Sequence, residues 1–228
     1  MYRADFDADL VVELQAAGAV AGTIYDRIAD DLLAEGYSIQ AHALPEALLR
    51  ALYAECQSLG RQDFDEAGIG RGREGLIDTR IRRDEICWIT PEMPVGREWL
   101  AWSGELMQAL NRRLFLGLFS FESHFAHYAP GDFYARHLDA FQGRSNRRLS
   151  MVVYLNPDWP EDAGGELALY QNEQDHIGQL VRPTWGTVAI FLSEEFPHEV
   201  LPATMDRYSI AGWFSINTSS EDRVDPPA

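Results

Sequence analysis

The sequence predicts an α+β protein that is mainly β, with helices first and then a sandwich or jelly roll of short strands. Two observations carry this. Before Leu118 the apolar residues recur at helical spacing, and from Leu118 onward they alternate. The alternating part also breaks into about eight short runs, 119–128, 133–139, 147–156, 165–170, 178–183, 186–192, 197–202 and 206–217, separated by turn residues such as Pro130-Gly131, Gly164-Gly165 and Trp185-Gly186. Strands this short and this frequent suit a sandwich or a jelly roll.

Taken in order, residues 1–20 are ambiguous. Leu10, Val11, Val12 and Leu14 start a helical pattern that Gly18 cuts short. From Thr23, the residues Ile24, Ile28 and Leu32 repeat at helical spacing, and Gly36 suits the position after a helix end. Tyr37 to Gln40 alternates like a short strand. Pro45 opens a second helix, with Leu48, Leu52, Cys56 and Leu59 on one face and Gly60 closing it. Residues 61–88 break the pattern. Glycines 68, 70, 72 and 75 stand among Arg71, Arg73, Arg80, Arg82 and Arg83, which predicts a loop or a two-stranded finger. Ile86 to Thr90 reads as a strand, Pro91 and Pro94 as a turn. Trp99, Trp102, Leu106 and Leu110 form a third amphipathic stripe, with Arg112 and Arg113 in its last turn. The organisation expected is a single catalytic domain: N-terminal helices and finger over 1–117, a β core over 118–217, and a flexible tail over 218–228.

Composition narrows the function. The chain has 228 residues, 46% of them hydrophobic, enough for a sizeable core. A formal net charge of −17 repels phosphate backbones and argues against nucleic acid as a partner. No apolar run approaches the ~20 residues of a membrane span, and no signal-peptide pattern opens the chain. Two cysteines without a CxxC spacing favour a reducing compartment, so the expectation is a cytoplasmic protein with no membrane partner.

The chemistry gathers around Tyr134-Ala-Arg-His-Leu-Asp139. His137 and Asp139 are two apart, which on a strand puts both on one face. His198, in Phe-Pro-His-Glu-Val, supplies a second imidazole from a later strand. Two histidines and one carboxylate leave coordination positions open on an iron, which suits O₂ chemistry. His124 and His127 are three apart, on opposite strand faces, and are poor co-ligands. Arg207 follows on the next strand, before the apolar Ile210 to Phe214, where a guanidinium grips a carboxylate. The plain alternative for Arg207 is a surface ion pair with Asp206 or Glu199.

The segments from Tyr128 to Asp139, from Arg147 to Pro157, Gly164-Gly-Glu-Leu, and Pro197-His-Glu-Val followed by Arg207 together resemble the Fe(II)- and 2-oxoglutarate-dependent prolyl hydroxylases. The branch is that of the oxygen-sensing enzymes and their bacterial relatives, and the similarity covers roughly residues 60 to 217. The resemblance implies a double-stranded β-helix (jelly roll) core with flanking N-terminal helices. It implies Fe(II), 2-oxoglutarate and O₂, with ascorbate as reductant. The implied reaction is hydroxylation at C4 of a prolyl residue in a protein, with release of succinate and CO₂. Its bacterial branch names elongation factor Tu as a candidate substrate, and its animal branch implies oxygen sensing.

Carried over by position, His137, Asp139 and His198 match the iron ligands and Arg207 the residue that pairs with 2-oxoglutarate. Tyr154 matches the tyrosine on the same distal carboxylate, Leu167 an apolar wall of that pocket, and Tyr128 a tyrosine near iron and substrate. Arg147 and Trp213 match substrate-side residues. Asp78-Thr-Arg-Ile-Arg-Arg-Asp-Glu-Ile-Cys-Trp88 resembles the finger that folds over the substrate, with Arg82 and Asp84 its charged pair. Ala211 stands where the oxygen-sensing enzymes carry a hydroxyl residue, which sets a sensor role apart from the rest. Two other readings stay open: an oxygenase of the same chemistry acting on a free amino acid, and a jelly-roll metal-binding module without catalysis.

Overall fold

The computed structural model describes residues 22–67, 78, 80–140 and 146–217. The ambiguous residues 1–20, the glycines and arginines of 68–77 and the tail at 218–228 lie outside them.

Local sequence signals set the helices. Helix α1 (Ile24–Glu35) begins at a reciprocal cap: Thr23 Oγ1 accepts from the Asp26 N–H at 3.2 Å, and Asp26 Oδ2 accepts from the Thr23 N–H at 2.8 Å. It ends at Gly36, whose φ of 77° turns the chain straight into strand β1 (Tyr37–Gln40). Helix α2 (Glu46–Ser58) follows Pro45, and Leu48, Leu52 and Cys56 on its inner face are buried. Leu59 lies just past its last turn, so the helix closes one residue before the expected Gly60. Helix α3 (Gly96–Leu114) buries Trp99, Trp102, Leu106 and Leu110. Asn111 clamps its exit: the side chain donates to the Leu118 carbonyl and accepts from the Leu118 N–H, both at 2.8 Å. That double bond switches the chain from helix to sheet.

All eight expected strands of the C-terminal part form. They are β4 (Leu118–Tyr128), β5 (Tyr134–His137), β6 (Arg147–Tyr154), β7 (Leu167–Leu169), β8 (Gln179–Val181), β9 (Val188–Leu192), β10 (His198–Val200) and β11 (Arg207–Ile216). Strands β2 (Asp65–Glu66) and β3 (Glu85–Trp88) pair antiparallel, so the finger is two-stranded at its base. Two sheets result. The larger runs β1-β9-β6-β11-β4-β3-β2 and the smaller β5-β10-β7-β8. This is the jelly roll with flanking helices.

The strands' alternation divides the core in two. Ile210, Phe214, Leu149, Met151 and Val153 meet the helices on one side of the large sheet. Tyr128, Tyr154, Phe191, Leu167 and Val200 pack between the sheets. The helices therefore stiffen one face of the large sheet and leave its other face to line the interior.

Gly36 sits where helix, strand and core meet. A Cβ there would approach the Phe196 ring to 2.9 Å, and the left-handed backbone disfavours any side chain. Gly36→Ala is expected to lower unfolding free energy by about 1–3 kcal/mol in urea titration; an unchanged midpoint would show the turn to be unstrained.

Candidate metal centre

The site begins with a register. In the β5–β10 pair, His137 lies directly opposite His198, and both rings point into the interior. Each ring is oriented by its own chain. His137 Nδ1 donates to the Ala135 carbonyl at 2.8 Å, and His198 Nδ1 to the Phe196 carbonyl at 3.0 Å. A carbonyl only accepts, so the proton sits on Nδ1 and each Nε2 keeps its lone pair. Tyr134 stacks on His137 at 3.6 Å, and Phe191 meets His198 edge-on at 4.7 Å.

Asp139 completes the cluster by a route that alternation does not describe. Strand β5 ends at His137, and Asp139 stands in the bend beyond it. The bend, not the strand, returns its carboxylate to the histidines. Oδ1 lies 3.5 Å from His137 Nε2 and Oδ2 3.5 Å from His198 Nε2. One ligating atom from each of the three residues falls within 4.8 Å of the others.

The charge states suit a cation. Burial pushes His198 down to about 4, helped by the neighbouring His137 and opposed by Asp139, so its lone pair is free at neutral pH. Burial alone would raise the Asp139 carboxyl, but His198, His137 and the Ser150 hydroxyl outweigh it and hold it well below the usual carboxylate range. Two imidazole nitrogens facing one carboxylate fit a divalent ion, and the donor set fits iron with open positions.

Next to the cluster, Arg207 is buried at 1% exposure. Its Nε donates to the Gly165 carbonyl at 2.9 Å and one terminal nitrogen to Ser209 Oγ at 3.1 Å, which uses two of five N–H donors. Gly165 has a φ of 75°, and a Cβ there would press on Arg207 Cδ at 3.3 Å, so a glycine lets the carbonyl come this close. The surface ion pairs weighed for Arg207 go elsewhere: Asp206 meets His127 at 2.8 Å, and Glu199 accepts the Tyr170 hydroxyl. Tyr154 Oη is buried without an aligned hydrogen bond, its ring centroid 5.2 Å from the guanidinium. Burial raises that phenol to about 12 against the pull of Arg207. A buried cation with no acid partner among the described residues, beside a buried phenol, asks for an anion. Tyr128 and Leu167 wall the same space, and Tyr128 also faces the guanidinium at 4.9 Å.

The remaining expected residues form two further contacts. Arg82 and Asp84 form a two-point ion pair, with distances of 2.8 and 2.5 Å, and Arg82 lies over the Tyr134 ring at 4.3 Å. Arg147 donates to Glu122 at 2.9 Å and covers the Trp213 ring at 3.7 Å. His124 is buried between Trp88 and Trp213, whereas His127 lies on the opposite face against Tyr208. Sequence reasoning missed Tyr134, Ser150 and Ser193. For Ser150 a signal existed, since it shares the Tyr154 face of β6.

Burial holds His124, like His198, at about 4 instead of 6.5. Between those values the unfolded chain binds protons that the folded chain does not. Stability therefore rises with pH across this window and is lost as pH falls from about 6.5 towards 4, by up to ~3 kcal/mol per group. Urea unfolding of the metal-free protein between about pH 7 and about pH 5 should show the loss, and His124→Phe should reduce it by about half. An identical slope in the variant would contradict this.

Comparison with known proteins agrees with the geometry. The profile of the 2OG-Fe(II) oxygenase superfamily matches residues 123–215. A Pseudomonas putida prolyl-4-hydroxylase crystal structure superposes with a TM-score of 0.75 at 41% identity, over 85% of this chain and 98% of that one. A Trichoplax adhaerens prolyl hydroxylase, in complex with a hypoxia inducible factor oxygen degradation domain peptide fragment, gives 0.74 at 25% identity, over 92% of this chain and 94% of that one. Human Egl nine homolog 1 is 29% identical over 143 residues, 59% of this chain and 33% of that protein. The chain spans between 15% and 41% of the length of the curated relatives it matches. No described helix is long and apolar enough to cross a membrane. With a structural relative of this identity covered almost end to end, and a family profile lying over the two histidines, the aspartate and the buried arginine, the chain belongs to the 2OG-Fe(II) oxygenase superfamily, among its prolyl hydroxylases.

Proposed function

We propose that this chain hydroxylates C4 of a prolyl residue in a protein substrate, with Fe(II) held by His137, Asp139 and His198. The observation that carries this is the pairing of the three-residue cluster with a buried guanidinium that has no acid partner among the described residues. When bound, iron, 2-oxoglutarate and O₂ supply the oxidising chemistry: the keto acid loses CO₂ and becomes succinate with one oxygen atom, and the other enters the substrate C–H bond.

The chain's own residues bind, orient and exclude water. Arg207 holds the distal carboxylate of 2-oxoglutarate through its unused N–H donors, and Tyr154 adds its hydroxyl. In a pocket closed by Leu167 and Tyr128, these charge-assisted bonds act without competing water. Trp213 and Arg147 face the substrate. The Arg82–Asp84 pair tethers the finger to β5 through Tyr134, so finger position and the His137 ring are mechanically linked. The length and Gly/Arg-rich composition of the segment 61–88 support a protein substrate over a free amino acid, and elongation factor Tu is the first protein to test. Ala211 stands where the oxygen-sensing enzymes carry a hydroxyl residue, so the proposal does not extend to a sensor role.

Anaerobic loading with Fe(II) and 2-oxoglutarate, then O₂ in the presence of purified elongation factor Tu or a cell lysate, tests the reading. Succinate release together with one added oxygen on a proline is expected. His137→Ala, Asp139→Ala and His198→Ala are each expected to abolish both signals. Arg207→Ala is expected to raise the KM for 2-oxoglutarate by roughly 10–100-fold, and Tyr154→Phe by up to about 10-fold, as lost bonds to a charged group. Metal binding with no substrate-stimulated succinate would favour a non-catalytic module, and turnover of free proline alone would favour a small-molecule enzyme.

A further inference from the structure

Asp139 is tied to the protein interior by two hydroxyls in series. Ser150 Oγ lies 2.6 Å from Asp139 Oδ2 and 2.9 Å from Ser193 Oγ, and both serines are buried. The order of protons follows from chemistry. An ionised carboxylate only accepts, so the single Ser150 proton goes to Asp139, and Ser193 must donate to Ser150. Backbone pairing holds both hydroxyls. Ser150 sits in β6 opposite Phe191 of β9. Ser193 follows the last residue of β9, and its N–H donates to the Arg148 carbonyl at 3.1 Å. Asp139, by contrast, lies outside any strand. No strand pairing holds its backbone, and the bond from Ser150 orients its carboxylate. Oδ2, 3.5 Å from His198 Nε2, carries the Ser150 bond, while Oδ1, 3.5 Å from His137 Nε2, accepts from no hydroxyl among the described residues.

The geometry points to a positioning role for the Ser193–Ser150 hydroxyl pair: it holds Asp139 as a single-oxygen ligand and so preserves an open coordination position. This rests on the ligand set proposed above. A carboxylate with one oxygen in a short, charge-assisted bond does not swing round to bind through both. Released from that bond, it would take up a position that the keto acid needs, and the ion would sit in a looser site.

The test uses anaerobic Co(II) titration of the full chain, followed by ligand-field absorption, with circular dichroism and thermal unfolding of the metal-free proteins alongside. The unaltered protein is expected to bind one equivalent. Ser150→Ala should bind about 10–100-fold more weakly, with an altered Co(II) spectrum that changes less on adding 2-oxoglutarate. Ser150→Thr keeps the hydroxyl and should restore affinity and spectrum. Ser193→Ala should weaken binding by a smaller factor in the same direction. A merely structural serine would shift unfolding without changing the spectrum, and that result overturns the proposal. So does a Ser150→Ala protein with unaltered affinity and spectrum, or a Ser150→Thr protein that behaves like Ser150→Ala. If Ser150→Ala does not fold, unchanged binding by Ser193→Ala overturns it. Equal Co(II) affinity in the unaltered protein and in Asp139→Ala would instead remove the ligand set itself, and the proposal with it.

Discussion

The pairing of β5 with β10 is the constraint on which the site depends. It sets His137 opposite His198, two short strands from distant parts of the chain meeting at one rung. A slip of one residue would turn one imidazole to the other face of the sheet. The outer face guards that register. Arg136, the chain neighbour of His137, covers the Tyr170 ring at 3.8 Å and donates to the carbonyls of Asn172 and Asp175. Tyr170 in turn donates to Glu199, the neighbour of His198. A polar clasp outside thus holds the strands whose alternate residues form the cluster inside.

Electrostatics work against the overall composition. The chain carries a net charge of −17, yet its interior holds a cation, Arg207, without an acid beside it. Carbonyl and hydroxyl acceptors hold that guanidinium in place but leave its charge uncompensated. Burying a charge in that way costs stability. The arrangement makes sense as preorganisation for an anionic ligand, which supplies the missing charge only when it binds. The orphaned Tyr154 hydroxyl belongs to the same account. Groups that destabilise the empty fold are the ones most directly aimed at a diacid.

Much of the architecture was legible because short-range chemistry encodes it. The glycine after α1, the stripe of α3 and the alternation of the eight C-terminal strands are all local patterns, and each formed as read. The two histidines and Arg207 were legible from spacing and residue type: His137 stands two before Asp139, His198 lies in a later strand run, and Arg207 opens the strand after it. Asp139 was found by spacing, although the spacing argument assumed a strand that stops two residues earlier. Ser150 shared the Tyr154 face of β6 but, like Ser193 just beyond β9, escaped notice because a serine hydroxyl names no partner in sequence. Only the direction of its hydroxyl gives it meaning, and that depends on a partner far along the chain.

By itself, then, the sequence determined the element order, the change of period at Leu118, the jelly roll and the residue types from which a metal centre could be built. Those follow from propensity, capping and alternation, which act over a few residues. The tertiary structure decided which histidines face each other, that a bend rather than a strand presents Asp139, that Arg207 meets no carboxylate, and that a serine pair engages one oxygen of Asp139. These are matters of register and of side-chain direction across sheets. No local pattern specifies them, because each depends on where a second, distant segment comes to rest.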